Sequence, residues 1–549
     1  DDVTAFVRSE ADLRRVIETI ESFQTISGLR VNKDKTEILV LGGLPLGDDL
    51  QPLVKNTIKI TGISHSCADF SVEAEEVNFW EPLDKLRNLL NLWRSRGLSL
   101  MGRVQIVKSQ GLPLFSSVAN ALFIPEKVTK MVNDLVYKFI WKGGREWLCR
   151  ETIAKHPNEG GLSFPKPEDY FRAANLKWFK LFGSSNHPWT DFLRKDADKV
   201  GGLRALQGNH RVWRKGMAEP FNLELFRNWS KWGKLFRGDG ESTMAMGIWQ
   251  NPLIKDRQGR QGRQGKALPP GQLAKLGFQT IADFVWDGGG IVSPGDAVNA
   301  GVPQTAWLEW AGARQSIRRF TGNLLQAKGS FPGGGEDSRN AIAMVVADAR
   351  LEVGDMRMSN ILRFTATNRV QKESSFQVKV RERFGVTKES YVAAFPKIKT
   401  TSIDTKTRSF HYRLLSGLLH GNVDFHDWGF RDFPGCNWCG IHEQTIWHLL
   451  LECPFTYNFR NDMAGLSPNL NVPTHAWILG NDDPALTFIA VFTAQYLYQC
   501  NYHYEWPVLA SLTNKLRAAR DMETRIALRK NRAIKNAEKW NRIAAIYPL

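Results

Sequence analysis

The sequence predicts an α+β protein that is predominantly helical. Short β-branched and aromatic segments lie near the N-terminus, whereas apolar residues at helical spacing recur through the rest of the chain. The chain has 549 residues, of which 42% are hydrophobic. It can therefore bury several cores, and its length predicts roughly three or four domains.

The N-terminal elements follow two adjacent carboxylates, Asp1 and Asp2. The segment VTAFV predicts a strand, and Ser9 with Asp12 forms a capping pattern at the start of a helix that ends at Gly28. The apolar face of this helix comprises Leu13, Val16, Ile17, Ile20, Phe23 and Ile26. The segments LRVN, TEILVLG and IKITGI predict three further strands.

Three helices are predicted downstream. The first presents Leu83, Leu86, Leu90 and Trp93 on one face, the second spans LSLMGRVQIVKSQ, and the third begins at Pro125. The segment RNWSKWGKLFRG interleaves tryptophans with cations, a pattern typical of a core helix or, alternatively, of a surface that stacks on bases. The apolar run ALTFIAVFTAQYLY is too short for a membrane span and predicts a buried helix.

The chain is strongly basic, with 73 Lys and Arg against 56 Asp and Glu, a net charge of +17. Such a balance favours polyanionic partners over acidic small molecules, although solubility alone is an alternative reason for it. The tail from Ser511 to Leu549 contains ten Lys or Arg and three acids and predicts a basic amphipathic helix.

Three of the six cysteines cluster with a histidine in CNWCGIHEQTIWHLLLEC. Cys436, Cys439, His448 and Cys453 have the spacing of a closed tetrahedral Zn²⁺ site, which is structural because it leaves no position open for substrate. His442 is an alternative ligand, and a set of reduced, buried cysteines is the alternative without metal.

The order of the N-terminal elements resembles the second half of a reverse transcriptase palm. In that family an aromatic-x-Asp-Asp turn joins two strands, and a later Gly-Leu-x-x-Asn-x-x-Lys-[Ser/Thr] element matches GLRVNKDKT here. The family's Lys-Tyr-Leu-Gly appears in altered form as Lys59-Ile60-Thr61-Gly62. The segments WRSRGLSLMGRVQIVKS, FIWKGG and TIWHLLLECPF are similar to those of LINE-type (non-LTR) retrotransposon polymerases, so the resemblance spans nearly the whole chain.

The resemblance implies RNA-directed DNA synthesis by two divalent ions, Mg²⁺ or Mn²⁺, primed in this family from a nick in target DNA. Asp1 and Asp2 are the implied metal ligands, because hard cations take carboxylate oxygens. Lys35 is expected near the leaving pyrophosphate, with a solvated turn lysine as the alternative. The family's other essential carboxylate lies upstream of Asp1, so these 549 residues alone are expected to be inactive.

A set of basic and turn residues is expected to contact template and primer, which gives affinity without sequence recognition. Each of these residues is also compatible with an ordinary solvated surface. The set comprises Lys59, Gly62, Arg94, Arg96, Arg103, Lys108, Arg525, Arg529 and Lys530.

Six consecutive regions are predicted. They are the end of the palm (1–63), a helical thumb (64–200), a helical connector with a flexible basic linker at 256–272 (201–327), a C-terminal helical region (328–425), the Cys-Cys-His-Cys region (426–460) and C-terminal helices with a basic tail (461–549).

The implied partners are template RNA, primer or target DNA and deoxynucleoside triphosphates, with an RNA-binding protein of the same element as a further candidate and no membrane. Such a protein is expected to act in the nucleus and to be cytoplasmic while it assembles with RNA. Two alternatives remain: an intron maturase, and a non-catalytic nucleic-acid-binding protein derived from a decayed element.

Overall fold

A computed structural model describes residues 3–28, 32–43, 45–67, 76–183, 188–198, 220–233, 247–249, 251, 254–256, 266–285, 290–321, 343–346, 349–352, 357–367, 374–402, 404–441 and 443–549. The chain forms two compact units. Unit 1 comprises residues 1–92, 109–135 and 165–368, and unit 2 comprises residues 93–108, 136–164 and 369–549. The units are therefore interleaved along the sequence, whereas the sequence analysis divided the chain into consecutive regions.

The described part of the chain is predominantly helical. Its helices are α1 (Glu10–Ser27), α2 (Glu81–Arg94), α3 (Leu100–Ile106), α4 (Ser116–Ala121), α5 (Glu126–Ile140), α6 (Arg150–Ala154), α7 (Pro167–Leu176), α8 (Pro188–Asp198), α9 (Pro220–Gly233), α10 (Gln272–Lys275), α11 (Pro294–Asn299), α12 (Trp307–Thr321), α13 (Met358–Thr367), α14 (Ser375–Phe384), α15 (Lys388–Val392), α16 (Ala394–Thr401), α17 (Thr405–Leu415), α18 (Asn422–Asp427), α19 (Pro454–Leu466), α20 (Ala476–Leu479), α21 (Pro484–Tyr502), α22 (Leu509–Arg529) and α23 (Ala533–Ile546). Its strands are β1 (Thr57–Ile60), β2 (Ile63–Ser66), β3 (Ala343–Val346) and β4 (Ala349–Glu352), which form two separate antiparallel pairs.

Helix α1 begins and ends where the sequence predicted. The Ser9 hydroxyl accepts the backbone N–H of Asp12 at 3.2 Å, and Gly28 closes the helix with φ +71°. Only glycine adopts this conformation readily, so the stop is encoded locally. The predicted apolar face is only partly covered, since no residue of α1 is buried and Ile26 is 84% exposed.

The predicted strands near the N-terminus form only in part. Residues 3–7 are not paired, LRVN lies mostly outside the described residues, and TEILVLG contributes one bridge, between Ile38 and Val54. A strand requires a hydrogen-bonded neighbour, so β propensity alone does not form one. The segment IKITGI is a hairpin rather than one strand, because Thr61 and Gly62, both with positive φ, turn β1 into β2.

The core of unit 1 forms around α7, which packs against α4, α9 and α13. Phe171 contacts Phe115 with ring centroids 5.4 Å apart, and Trp229 contacts Phe179 at 4.6 Å. Trp229 is fully buried, so this tryptophan of RNWSKWGKLFRG belongs to the core. The side chain of Trp232, together with Phe236, lies outside the described residues.

Described residues between Ile248 and Ile317 form a small core within unit 1, where the ring centroids of Phe284 and Trp310 lie 4.4 Å apart. Leu268 is buried in this core, so the folded part includes residues that the sequence assigned to a flexible linker. Lys255 pairs with Ala267, and the Asp256 N–H donates to the Lys266 carbonyl at 2.8 Å. The residues on either side of the Arg-Gln-Gly repeat, Asp256 and Lys266, are therefore hydrogen-bonded to each other. The repeat itself, residues 257–265, lies outside the described residues.

Unit 2 is a helical assembly around α21, which packs against α16, α17 and α23. The apolar run predicted as a buried helix forms α21, and most of its side chains are buried. Among the described residues, no helix is long and apolar enough to span a bilayer. Helix α3 joins the unit by packing against α17, and the Tyr412 hydroxyl donates to the Gly160 carbonyl at 3.2 Å.

The basic tail is a pair of packed helices, α22 and α23, rather than one helix. Leu512, Leu516 and Trp540 are buried, which places most of the tail's cations on the outside. Glu523 and Lys539 are the exceptions among the charged groups, since their side chains are 1% and 15% exposed.

Candidate metal centre

The first two ligands lie on a tight turn. The Gly440 N–H donates to the Cys436 carbonyl at 2.9 Å, and Gly440 has φ +69°. A bridge between Gly435 and Glu443 closes the base of the turn. The close approach of the backbone brings the side chains of Cys436 and Cys439 to the same side, as a metal knuckle requires.

The second pair of ligands lies at the two ends of a π-helical turn, His448–Glu452. The Cys453 N–H donates to the His448 carbonyl at 2.7 Å, an i to i+5 bond. Cys453 then precedes Pro454, the first residue of α19. The wide turn allows a histidine and a cysteine five residues apart to converge on one point.

The four ligand atoms lie within 4.8 Å of one another. Cys436 Sγ and Cys453 Sγ are 3.8 Å apart, and Cys439 Sγ is 3.4 Å from His448 Nε2. Tetrahedral Zn²⁺ with Zn–S bonds of about 2.3 Å separates two sulfur ligands by about 3.8 Å. The cluster therefore has the dimensions of a site that can hold a metal ion such as Zn²⁺.

The electrostatics of the cluster favour a bound cation. The pKa of the Cys436 thiol lies below its usual value because Cys453 donates to the sulfur, with further donation from the backbone of Cys439 and from Gln444. The pKa of Cys453 is raised by that same contact with Cys436 and by burial. Zn²⁺ binds thiolates, so a metal ion that occupies this cluster would displace the thiol protons.

A buried amide network surrounds Cys436. Gln444 Nε2 lies 3.3 Å from Cys436 Sγ and 2.9 Å from Asn501 Oδ1, while Asn501 Nδ2 donates back to Gln444 Oε1 at 3.1 Å. Asn437 Nδ2 donates to Asn501 Oδ1 at 2.9 Å, so the knuckle and the end of α21 are joined. Gln444 and Asn501 were not predicted from the sequence, because they lie 57 positions apart and belong to no metal-binding pattern.

Close packing fixes the floor of this network. A Cβ on Gly421 would lie 2.0 Å from the Gln444 carbonyl oxygen, so only glycine fits there. Its φ of −92° is ordinary, and space rather than backbone conformation selects the residue. The start of α18 is thereby held directly against the segment that carries Gln444.

The sequence-predicted polymerase residues are only partly described. Asp1, Asp2 and the alternative zinc ligand His442 lie outside the described residues. Lys35 is exposed at the end of a short 3₁₀ turn, Lys33–Lys35. Lys59 lies on β1, and Gly62 is in the hairpin turn that follows.

The cations predicted on the thumb fall into two groups. Arg94 and Arg96 are exposed. Arg103 donates to the carbonyls of Ile140 at 2.6 Å and Leu98 at 2.7 Å, and Lys108 lies 3.4 Å from the Leu162 carbonyl. Burial lowers the pKa of Arg103 and of Lys108. Both side chains therefore stabilise the fold through backbone carbonyls, whereas Arg94 and Arg96 are exposed and the Arg96 guanidinium lies 5.5 Å from the Trp93 ring centroid.

The cations predicted on the tail are exposed. Arg525 and Arg529 lie on the outer face of α22, and Lys530 follows at the turn into α23.

A comparison with models of known protein families finds none that matches this chain.

Proposed function

We propose that the chain is the C-terminal part of a LINE-type reverse transcriptase, an RNA-directed DNA polymerase that acts through two divalent metal ions. The single observation that supports this proposal best is the convergence of Cys436, Cys439, His448 and Cys453 within 4.8 Å, in a chain that also carries GLRVNKDKT near its N-terminus. The two features are about 400 residues apart, and the resemblance to this family includes both.

The chemistry assigned to this chain is limited to its own residues. Asp1 and Asp2 would hold Mg²⁺ or Mn²⁺, and Lys35 would face the leaving pyrophosphate. The ions would activate the primer hydroxyl and neutralise the leaving group. The Cys₃His cluster would hold a structural Zn²⁺ that fixes the C-terminal module, since all four positions are taken by protein ligands.

Nucleic-acid binding in the C-terminal region is assigned to the paired helices α22 and α23. Residues 509–549 contain ten Lys or Arg and three acids, and one of these acids, Glu523, is buried against Lys539. The cations on the outside include Arg525, Arg529 and Lys530. Such a surface binds phosphates without reading sequence, as a polymerase that holds its template requires.

The experiment is Mg²⁺-dependent primer extension on an RNA template, with this chain joined to the upstream palm region of a LINE-type enzyme. Asp1→Asn and Asp2→Asn should each abolish extension, and Asp48→Asn, which changes an exposed acid of the N-terminal region, should not. The 549 residues alone should extend no primer.

Two results would contradict the proposal. Extension that survives in both variants would remove the acidic pair from catalysis. A joined chain that folds and binds RNA but never extends would instead favour a non-catalytic nucleic-acid-binding protein.

A further inference from the structure

The zinc module differs in charge from the rest of the chain. Residues 414–514 contain two Lys or Arg and nine Asp or Glu, a net charge of −7 in a chain whose total is +17. Zn²⁺ bound to three thiolates adds a further unit of negative charge. The stretch of sequence that contains the metal ligands is therefore acidic within a basic protein, and Arg383, from outside this stretch, pairs with one of its acids, Glu452.

Both cations of this region, Arg431 and Arg460, already contact other groups of the chain. Arg460 donates to the Leu451 carbonyl at 2.6 Å and lies over the Trp477 ring at 5.7 Å. Arg431 donates to Asn422 Oδ1 at 2.5 Å. Binding of a phosphate backbone depends on available cations, so nucleic acid is a poor partner for this surface.

Large aromatic side chains are nevertheless exposed around the knuckle. They are Phe430, Phe433, Phe455, Tyr457, Tyr504 and Trp506. Contiguous exposed aromatic groups mark interaction sites, whereas single exposed rings are ordinary surface.

Two of these rings are in direct contact, and Tyr504 lies on the same loop as one of them. Trp506 contacts Phe455, which lies two residues after the ligand Cys453, with ring centroids 4.9 Å apart. The Trp438 indole of the knuckle donates to the Glu505 carbonyl at 3.0 Å, which holds the loop of Tyr504 and Trp506 against the metal centre. Asp432 and Glu505 are exposed and add negative charge. We call Tyr504, Trp506, Phe455, Asp432 and Glu505 the acidic aromatic surface.

One contact within the chain shows the kind of group that such a surface can bind, a guanidinium. The Arg431 guanidinium lies 4.9 Å from the Tyr504 ring centroid and 5.7 Å from that of Phe425. Tyr504 remains 67% exposed, so its ring has area left for a second cation. Guanidinium groups stack on aromatic rings and pair with carboxylates, and this surface offers both kinds of group.

We propose that the acidic aromatic surface binds an arginine-containing, cationic segment of a partner protein. The arginines stack on Tyr504 and Trp506 while Asp432 and Glu505 neutralise them. This inference rests on the zinc module and not on polymerase activity, so either proposal can fail without the other. It also separates two roles within the C-terminal region: α22 and α23 meet nucleic acid, and the zinc module meets protein.

The test uses the full zinc-loaded chain and a fluorescein-labelled nonapeptide of alternating Arg and Gly, with binding followed by anisotropy. The combined change Tyr504→Ala and Trp506→Ala should weaken binding about tenfold or more. Asp432→Asn with Glu505→Gln should weaken it comparably, and added salt should weaken it in the parent chain. Tyr504→Phe, which keeps the ring, should bind like the parent.

Matched controls exclude unfolding and general charge effects. Trp307→Ala removes an exposed tryptophan outside the module, and a peptide with Gln in place of Arg removes the cations. Zinc content and melting temperature of every variant should equal those of the parent.

Three results would overturn the proposal. They are no binding of the peptide by the parent chain or unchanged binding in the variants, a variant that instead loses binding of labelled oligouridylate, and a concentration-dependent dimer that the aromatic changes dissociate. The second result would assign the rings to bases, and the third to a second copy of the chain.

Discussion

Gln444 Nε2 lies 3.3 Å from Cys436 Sγ, inside a module where both side chains are buried. An amide N–H directed at a thiolate stabilises its negative charge and orients the sulfur toward the metal. Asn501 holds the amide in that orientation by exchanging two hydrogen bonds with it. The metal centre therefore extends beyond its four ligands.

Gln444→Ala should weaken Zn²⁺ affinity about 10- to 100-fold, since outer partners of metal ligands have effects of this size. Competition with a chromophoric chelator measures it. Gln499→Ala, an exposed change on α21, serves as the control and should leave affinity unchanged. Equal affinity in the two variants would show that the amide is a packing group only.

Removal of the metal should unfold the module locally. Cys453→Ser should lower zinc content by one equivalent, and a chelator should produce the same state in the parent chain. Metal analysis and hydrogen exchange across residues 420–460 report the two effects. Cys67→Ser, an exposed cysteine outside the cluster, should change neither. Full zinc content in Cys453→Ser would require another ligand in place of this sulfur.

The features predicted correctly from sequence depend on short spacing. The four ligands lie within 18 residues, and the start and end of α1 are set by Ser9 and Gly28, each adjacent to the helix. Contacts that join distant segments were not predictable. Gln444 meets Asn501 across 57 positions, and Glu523 meets Ser402 across 121, so no local pattern distinguishes Glu523 from a solvated acid. The hairpin β1–β2 was misjudged as one strand because isoleucines lie on both sides of its turn, Ile60 at the end of β1 and Ile63 at the start of β2.

The outer face of α22 should account for part of the salt dependence of RNA binding. Changing Arg525, Arg529 and Lys530 together to Gln should reduce the slope of log affinity against log salt by about 2 to 3, because each lost phosphate contact lowers it by about 0.7 to 0.9. Filter binding of an oligouridylate at several salt concentrations gives the slope. Changing Lys266, Lys275 and Arg318, three exposed cations elsewhere, should have a smaller effect. Equal slopes for the two triple variants would remove the specific role of α22.

Acid should destabilise unit 2 through His411 on α17. Burial, aided by the nearby charge of Lys397, lowers the pKa of His411 to about 3. Between about pH 6.5 and pH 3 the unfolded chain binds a proton that the folded chain does not, so stability falls as pH decreases. The loss from pH 6.5 to pH 5 should be about 2 kcal/mol.

His411→Gln should remove this part of the pH dependence, because glutamine has no proton to gain. The melting temperature of the parent, measured from pH 7.5 to pH 5, should therefore fall more steeply with decreasing pH than that of the variant. The exposed His426→Gln should keep the parent's dependence. Parallel curves for His411→Gln and the parent would show that this histidine does not contribute to acid sensitivity.

The buried carboxylate of Glu523 should be essential for holding α22 and α23 to the rest of unit 2. It accepts hydrogen bonds from Ser402, from Lys539 Nζ at 2.7 Å and from Trp540 Nε1 at 3.1 Å. Burial lowers the pKa of Lys539, and the charge of Glu523 partly offsets this effect. Removing the carboxylate would leave a buried ammonium without its counter-charge, which costs about 3 to 5 kcal/mol.

Glu523→Gln should therefore accelerate hydrogen exchange throughout both helices, whereas the exposed Glu538→Gln should not. Adding Lys539→Met to Glu523→Gln should recover most of the protection, because the second change removes the unpaired charge and keeps the apolar stem. If the double variant exchanged as fast as Glu523→Gln alone, the loss would come from the hydrogen bonds to Ser402 and Trp540 rather than from the buried charge.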